Sequence, residues 1–482
     1  MKRRRSDIAI ELKGDGRQPI FLELAGSLIR EIERGRLKPG EALPGTRVLA
    51  QSLKLHRNTV DAAYHELVMQ GWLISEPSKG TFVAHDLPDM GLPLREAPPF
   101  KAAVTSHTAP GFQPLLHVPD GTPDTQIMPA AELARAIRSA LLTPAFMSGG
   151  DYCDPRGTPA LRRALADYLT TERGLVASPD NILVTRGSQM GLFLAGAAII
   201  EPGEVIAVEE PGYPLAWEAF RAAGAKIAGV PVDAGGINVE RLEKLAARTP
   251  NLKAVYITPH HQYPTTVTLG AGRRLRLLDI VQRHGLTLIE DDYDHEYRFN
   301  GRPVLPLASR AAPELPVIYI GSLSKLLSPA VRVGYVVARH DILTSMADRR
   351  EAIDRQGDLP LEQALASLID DGVLRRHARK ARRIYEARRD FLATTLQSEL
   401  GDDITFDLPA GGLALWARLR EGLSAETWAM NARRAGLAIT PGLRFALDAA
   451  RAPEAFRIGY ASLDEEKIKR VVALLLKTRP QV

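Results

Sequence analysis

The sequence predicts a multidomain chain: a small α+β module of three helices and a β-wing, a proline-rich connection, and a large α/β domain on a parallel or mixed sheet. Three observations predict this. Residues 1–85 hold three segments of helical period followed by two short β-type runs. Residues 86–114 contain six prolines and no sustained period. From about residue 115 onward, short apolar strands alternate with longer helical stretches, the pattern of a sheet covered by helices on both faces.

The 482 residues are enough for two or three domains. With 45% hydrophobic and 25% charged residues the composition is globular, and no apolar run approaches the roughly 18 residues that span a bilayer. The start, Met1 to Arg5, is basic, but IAIELKGDGRQ after it has no sustained apolar core, so export is not expected. Cys153 is the single cysteine, which excludes an intrachain disulfide and a cysteine-built zinc site. A reducing cytoplasm is the expected location. The net charge of +5 is small, but residues 1–85 carry 14 Lys/Arg against 10 Asp/Glu, nearly the whole excess. That placement suits a nucleic-acid partner without requiring one.

In the first module, residues 20–34 space apolar residues at helical period, with Pro19 where a first turn tolerates it and Gly35 at the end. A short second helix is expected from Thr46 to Leu53 and a third from Arg57 to Gln70. The third has one apolar stripe, Val60, Ala63, Tyr64, Leu67 and Val68. Its leading turn carries His56, Arg57, Asn58, Thr59 and Asp61. Two β runs, Trp72–Ser75 and Thr81–Ala84, flank Glu76-Pro-Ser-Lys-Gly80. Three helices and a hairpin wing describe a winged helix-turn-helix whose third helix reads the major groove of DNA. The segment LKPGEALPGTRVLAQSLKLHRNTVDAAYHELVMQGWLISEPSKGTFV also resembles the GntR family of bacterial regulators. The resemblance makes Arg47, Arg57, Asn58 and Thr59 the DNA-facing residues, with Lys79 and Gly80 at the wing tip. Arg57 can fork onto a guanine edge, while Arg47 and Lys79 suit phosphates. Asp61 departs from such a surface: it either holds Arg57 or faces away. Residues 86–114 read as a semi-extended tether.

In the large domain, the candidate strands are Ile182–Thr185, Val205–Glu209, Ala254–Thr258, Leu286–Asp291, Val317–Ile320 and Gly334–Ala338. Ligands of such sheets bind near the carboxyl ends of the strands. In Gly321-Ser-Leu-Ser-Lys-Leu-Leu-Ser-Pro-Ala-Val-Arg-Val-Gly334, a lysine stands just after a strand between serines and an arginine. That suits a phosphate-bearing aldehyde cofactor: Lys325 would form the Schiff base, and Ser322, Ser324 and Arg332 would hold the phosphate. Ile289-Glu-Asp-Asp-Tyr-Asp294 ends another strand. Its acids suit a protonated pyridine nitrogen; a cluster of acids at a strand end could instead bind Mg²⁺, the lesser reading of this motif. Arg186-Gly-Ser-Gln-Met190 opens a helix, so Gly187, Ser188 and Gln189 can offer backbone N–H groups to an anion. Tyr213 sits where an aromatic ring can stack on the cofactor.

Together these segments resemble the fold type I aminotransferases, with a smaller C-terminal α/β subdomain at about 345–482. More closely, residues 15–475 resemble the MocR subfamily, which joins the two modules. The resemblance implies pyridoxal 5′-phosphate (PLP) bound to Lys325, Asp291 at the pyridine nitrogen, Tyr293 at the phenolic oxygen and Tyr213 stacked on the ring. It implies Arg457 as the binder of an effector or substrate carboxylate, and Tyr152 reaching the site of a neighbouring subunit in a head-to-tail homodimer. In Thr258-Pro-His-His-Gln-Tyr-Pro-Thr-Thr266, His261 or Gln262 would approach the ring. Two departures stand out: Cys153 and Thr266 replace glycines usual in the family, which would reshape loops. Members that sense GABA carry an arginine where this chain has Leu215, so GABA is not the expected effector. The helix Arg375–Arg389, with eight Lys/Arg and one Glu, either tracks DNA phosphates or is a solvated face.

The residues therefore point to a PLP-dependent transcription regulator sensing PLP, an amino compound or their adduct, with operator DNA as its partner. The alternative is an active aminotransferase with an appended DNA-binding domain. The intact set of Lys325, Asp291, Tyr293 and Arg332 argues against a dead binding site.

Overall fold

A computed structural model of the chain describes residue 10 and residues 19–76, 79–87, 115–143, 146–147, 152–299 and 304–481. The proline-rich connection, apart from Asp86 and Leu87, and the wing-tip residues Pro77 and Ser78 lie outside the described residues. The chain divides into two compact units, Met1–Pro110 and Gly111–Val482.

In the first unit, helices Ile20–Glu33, Thr46–Leu53 and Arg57–Met69 are followed by an antiparallel hairpin of Leu73–Glu76 and Gly80–Val83. Leu24, Leu28 and Ile32 of the first helix meet Leu49 of the second and Val60, Ala63, Tyr64 and Leu67 of the third. Val68, the fifth member of the expected stripe, is only partly buried. Trp72, Leu73 and Val83 close this core from the hairpin. The Tyr64 hydroxyl donates to the Pro44 carbonyl at 2.8 Å, tying the third helix to the extended link before the second.

The second unit is built on an eight-stranded sheet, whose order is Ile182–Thr185, Gly334–Val337, Val317–Ser322, Thr287–Asp292, Leu252–Ile257, Val205–Glu210, Lys226–Asp233 and Gly236–Ile237. The middle pairings are parallel, and Gly334–Val337 runs antiparallel to both neighbours. The inner strands Val205–Glu210, Thr287–Asp292 and Val317–Ser322 are buried along almost their whole length, as a sheet covered on both faces requires. Lys226–Asp233 and Gly236–Ile237 are additional strands. The first is half-exposed and contains Gly229 and Pro231, so it lacks the apolar signature of its neighbours. A separate antiparallel sheet, Ile404–Thr405, Ala414–Leu419, Ala455–Gly459 and Thr440–Pro441, packs with Val373–Leu400 and Glu465–Lys477 nearer the C-terminus. Among the described residues no helix is long and apolar enough to cross a membrane.

Thr266 keeps the backbone a glycine would favour there: its φ is +65°, it is 8% exposed, and its N–H donates to the Gln262 carbonyl at 2.7 Å. The expected reshaping of this loop is therefore replaced by local strain, which for a β-branched residue is of order 1–2 kcal/mol. Thr266→Gly is expected to leave the melting temperature unchanged or raise it by about 1–2 °C, because strain relief outweighs the entropy of glycine. Thr266→Ala keeps the strain and loses buried contacts, so it should lower it. Thermal melts of the three proteins check this.

Candidate functional site

Four strand ends of the large sheet converge on one cluster. Val317–Ser322 leads into Ser324 and Lys325, where the Ser324 N–H donates to Ser322 Oγ at 3.2 Å and fixes the turn. Lys325 Nζ donates to the Gly121 carbonyl at 2.9 Å. Burial pushes its pKa down; nearby Asp120 opposes this and Arg457 reinforces it. That direction moves the amine toward its neutral form, the form needed for attack on a carbonyl carbon.

Asp291 is the penultimate residue of the adjacent strand Thr287–Asp292 and is 3% exposed. Its Oδ2 accepts from the Tyr256 hydroxyl at 3.0 Å, and its Oδ1 is buried without a protein partner. Burial pushes its pKa up to about 7, with Tyr256 and Lys325 pulling the other way. Asp292, on the opposite face, is held well below the usual carboxylate range: burial works upward, but Arg173, His260 and His295 overcome it. Glu290 accepts instead from the backbone N–H groups of Leu307 and Ala308, both at 2.9 Å. The acids of this strand end therefore have separate partners. Among the described residues no group of three or more His, Cys, Asp or Glu is placed to share a metal ion.

The helix Gly187–Ile199 begins beside Arg332, whose Nη2 donates to the Arg186 carbonyl at 2.9 Å. Gly187 has φ +77°, and a Cβ there would lie 3.2 Å from the Arg332 guanidinium. Gly334 meets the same turn: its Cβ would fall 2.6 Å from the Gly187 carbonyl carbon. These two glycines let a strand, a helix N-terminus and an arginine meet closely. Ser188 and Gln189 follow in the first turn, with Gln189 Nε2 donating to the Leu215 carbonyl at 2.7 Å and Oε1 left buried without a partner. Ser324 Oγ is likewise buried and unpartnered.

Tyr213 packs edge-on to Tyr263 with ring centroids 4.9 Å apart. Burial, then Asp291 and Asp120, raise its phenol pKa. Tyr293 donates to the His261 carbonyl at 2.9 Å. Arg457, 1% exposed, lies over the Tyr263 ring at 4.3 Å and donates to the carbonyls of Asp120 (3.1 Å) and Pro264 (2.6 Å). Sequence reasoning missed Asp120, Gly121, Tyr256 and Tyr263 as members of the cluster. Tyr263 lay in a segment already singled out, but beside it His261 Nδ1 is 2.7 Å from Asp294 Oδ1 and Gln262 donates to Pro211 O at 2.9 Å. Tyr152 is not brought into the cluster within one chain: it is 66% exposed and lies against the Arg355 guanidinium, 4.0 Å from its ring centroid.

The donor set fits PLP. Asp291 Oδ1 and Ser324 Oγ are buried groups lacking partners, a lysine of lowered pKa stands beside them, and a helix N-terminus with an arginine forms an anion cradle.

On the first unit, Arg47, Arg57 and Asn58 are exposed and Thr59 is half-buried at the start of the third helix. His56 Nδ1 caps that helix, accepting from the Asn58 N–H at 3.3 Å. Asp61 is exposed, and among the described residues no ion pair joins it to Arg57. Lys79 Nζ is 3.0 Å from Glu76, and Gly80 beside it has φ +121°.

Residues 22–83 match the family of bacterial regulatory proteins of the gntR type, and residues 122–475 match aminotransferase class I and II. A Rhizobium meliloti protein described as a "probable rhizopine catabolism regulatory protein", MocR, is 31% identical over 95% of this chain and 93% of its own. This chain belongs to the MocR-type GntR regulators. The pyridoxine biosynthesis transcriptional regulator PdxR of Corynebacterium glutamicum is 32% identical over 81% of this chain and 82% of its own. The α-aminoadipate aminotransferase LysN of Thermus thermophilus, solved with a phosphopyridoxyl-leucine, matches with a TM-score of 0.69 at 28% identity, over 76% of this chain and 92% of that one. As a MocR-type regulator the chain joins a DNA-binding winged helix-turn-helix to a PLP-binding domain of fold type I.

The three carboxyls raised to about 7, Glu209, Glu290 and Asp291, carry a pH consequence. Each folded-state pKa lies above its unfolded value, so the neutral form favours folding. That contribution is full below about pH 4 and is lost as pH rises through about 7. In the PLP-free protein, Asp291→Asn is expected to remove its share of the loss. The variant should melt about 2–4 °C higher relative to wild type at pH 8 than at pH 5. Melts at both pH values check this.

Proposed function

We propose that the regulator uses residues 115–482 as a sensor whose occupancy resets DNA binding by residues 1–85, with residues 86–114 as the tether. Bound PLP supplies an aldehyde for amines and an electron-withdrawing ring. Lys325 would hold the aldehyde carbon through Nζ, and Asp291 would serve the ring nitrogen. Tyr293 serves the phenolic oxygen, and Tyr213 lies against the ring. Gly187, Ser188, Gln189, Ser322, Ser324 and Arg332 surround the phosphate. Arg457 is the binder of an effector carboxylate. Arg57, Asn58 and Thr59 read bases, while Arg47, Lys79 and Gly80 contact the backbone.

We place the regulator in the cytoplasm as a head-to-tail homodimer in which Tyr152 serves the partner's site. A residue that is exposed beside Arg355 within its own chain is free for that role. The observation that carries the sensor reading is the joint presence of the buried lysine cluster and an exposed Arg57 turn in one chain. An effector acts through its differential affinity for two DNA-binding arrangements.

The test uses a duplex selected by the protein from random sequence. Its affinity is measured by fluorescence anisotropy with and without PLP, for wild type and Lys325→Ala. A PLP-dependent change in wild type that is lost in the variant supports the reading. An affinity blind to PLP, with amino donors turned over steadily, supports the aminotransferase alternative.

A further inference from the structure

A second cleft of about 550 Å³ opens on the sheet face away from Asp291 and Lys325. Successive strand residues point to opposite faces, and this is the side of Asp292, which is bonded to Arg173 and to the Tyr319 hydroxyl (2.6 Å). The cleft is lined by Tyr168, Arg173, His260, His295, Glu296 and Arg298, with Arg375, Arg379 and Arg382 from the long helix Val373–Leu400.

Its charges are unevenly matched. Arg173 is neutralised by Asp292, and Arg375 pairs with Glu172 at 2.8 Å. Among the described residues Arg298, Arg379 and Arg382 have no acidic partner, and Arg298 Nε and Nη1 are buried with no hydrogen bond. Burial lowers the Arg298 pKa, the direction expected of a guanidinium with no anion facing it. Beside these donors Glu296, with its side chain 4% exposed, lies 2.9 Å from His295 Nε2 and accepts from the Tyr168 hydroxyl at 3.3 Å, both through Oε1, and leaves Oε2 buried and unpartnered. Buried polar groups without partners are costly, so this pattern specifies what would complete it. Three guanidinium groups on two elements suit a tetrahedral oxyanion, and Glu296 Oε2 calls for a hydroxyl donor. The volume suits a molecule of metabolite size.

We propose that this cleft binds a small organic phosphate that also carries a hydroxyl, independently of the PLP site. A DNA backbone would meet Arg375, Arg379 and Arg382 at the mouth but would leave Glu296 Oε2 unsatisfied at the floor.

Glycerol 3-phosphate is the probe, because it has both groups and no amine to react with PLP. Isothermal titration calorimetry of the full chain loaded with PLP keeps the cofactor's own phosphate site filled. Saturable binding is expected, weakened at least about tenfold by Arg298→Gln and by the surface change Arg379→Gln. Glu296→Gln should weaken glycerol 3-phosphate more than inorganic phosphate. Absence of saturable binding overturns the proposal, as does an affinity unchanged in both arginine variants. Weakened duplex binding with glycerol 3-phosphate affinity intact would also overturn it, by assigning the cleft to DNA.

Discussion

Lys325→Ala is expected to abolish the visible absorption that PLP gives the protein and to let PLP be removed by dialysis. The reason is local. The Lys325 amine is held by Gly121 O at 2.9 Å, and burial lowers its pKa, the direction that eases bonding to an aldehyde carbon. Alanine would remove that bond and leave the phosphate cradle proposed for Gly187 and Arg332 intact. The variant should therefore still bind PLP reversibly, with its free-aldehyde spectrum. Arg332→Ala makes the contrasting case: it keeps Lys325 and so keeps the band. Loss of the charged phosphate contact proposed for Arg332, worth about 1.5–3 kcal/mol, should weaken PLP binding by about 10–100-fold. Absorption spectra before and after dialysis, with PLP titrations of both variants, check the pair. A band that survives Lys325→Ala would place the covalent bond on another residue.

The second large effect is on DNA. Arg57 stands exposed at the start of the third helix, with the His56 cap fixing that turn and no ion pair to Asp61 to restrain it. With no carboxylate paired to it among the described residues, it can fork onto a guanine edge. Arg57→Ala is expected to weaken binding to a selected duplex by about 10–100-fold for each half-site read, with a much smaller change on random DNA. Lys79→Ala should weaken both duplexes about equally and reduce the salt slope by at most about one, because Glu76, 3.0 Å away, already offsets part of its charge. Anisotropy titrations at several salt concentrations distinguish the two residues.

Much of this architecture is legible in the sequence, for identifiable reasons. The first unit could be read almost residue by residue because its core is local: the stripe Val60, Ala63, Tyr64 and Leu67 and the hairpin residues Leu73 and Val83 are written in helical and β periods. The central strands announce themselves by unbroken apolar runs, and the lysine, acidic and glycine motifs follow them at the ligand-binding edge. Lys226–Asp233 escaped because a half-exposed strand with a proline has neither signature. Asp120 and Gly121 escaped for a different reason. In Val118-Pro-Asp-Gly121 they read as an ordinary turn, and only the fold places them against Lys325, Arg457 and Tyr263, whose hydroxyl donates to Asp120 Oδ2 at 2.6 Å. The basic helix shows the same limit. Arg388 turns inward to Asp124 at 2.9 Å and Arg389 is 2% exposed, while Arg379 and Arg382 remain on the surface, a division that charge count does not reveal.

The central claim is that the PLP site and the DNA-reading surface are energetically coupled, and coupling is reciprocal. The most direct measurement is the PLP affinity of the full chain, followed by absorption, in the absence and presence of a saturating selected duplex. DNA is expected to change the affinity for PLP by the same factor by which PLP changes the affinity for DNA. A PLP affinity identical with and without the duplex would contradict it.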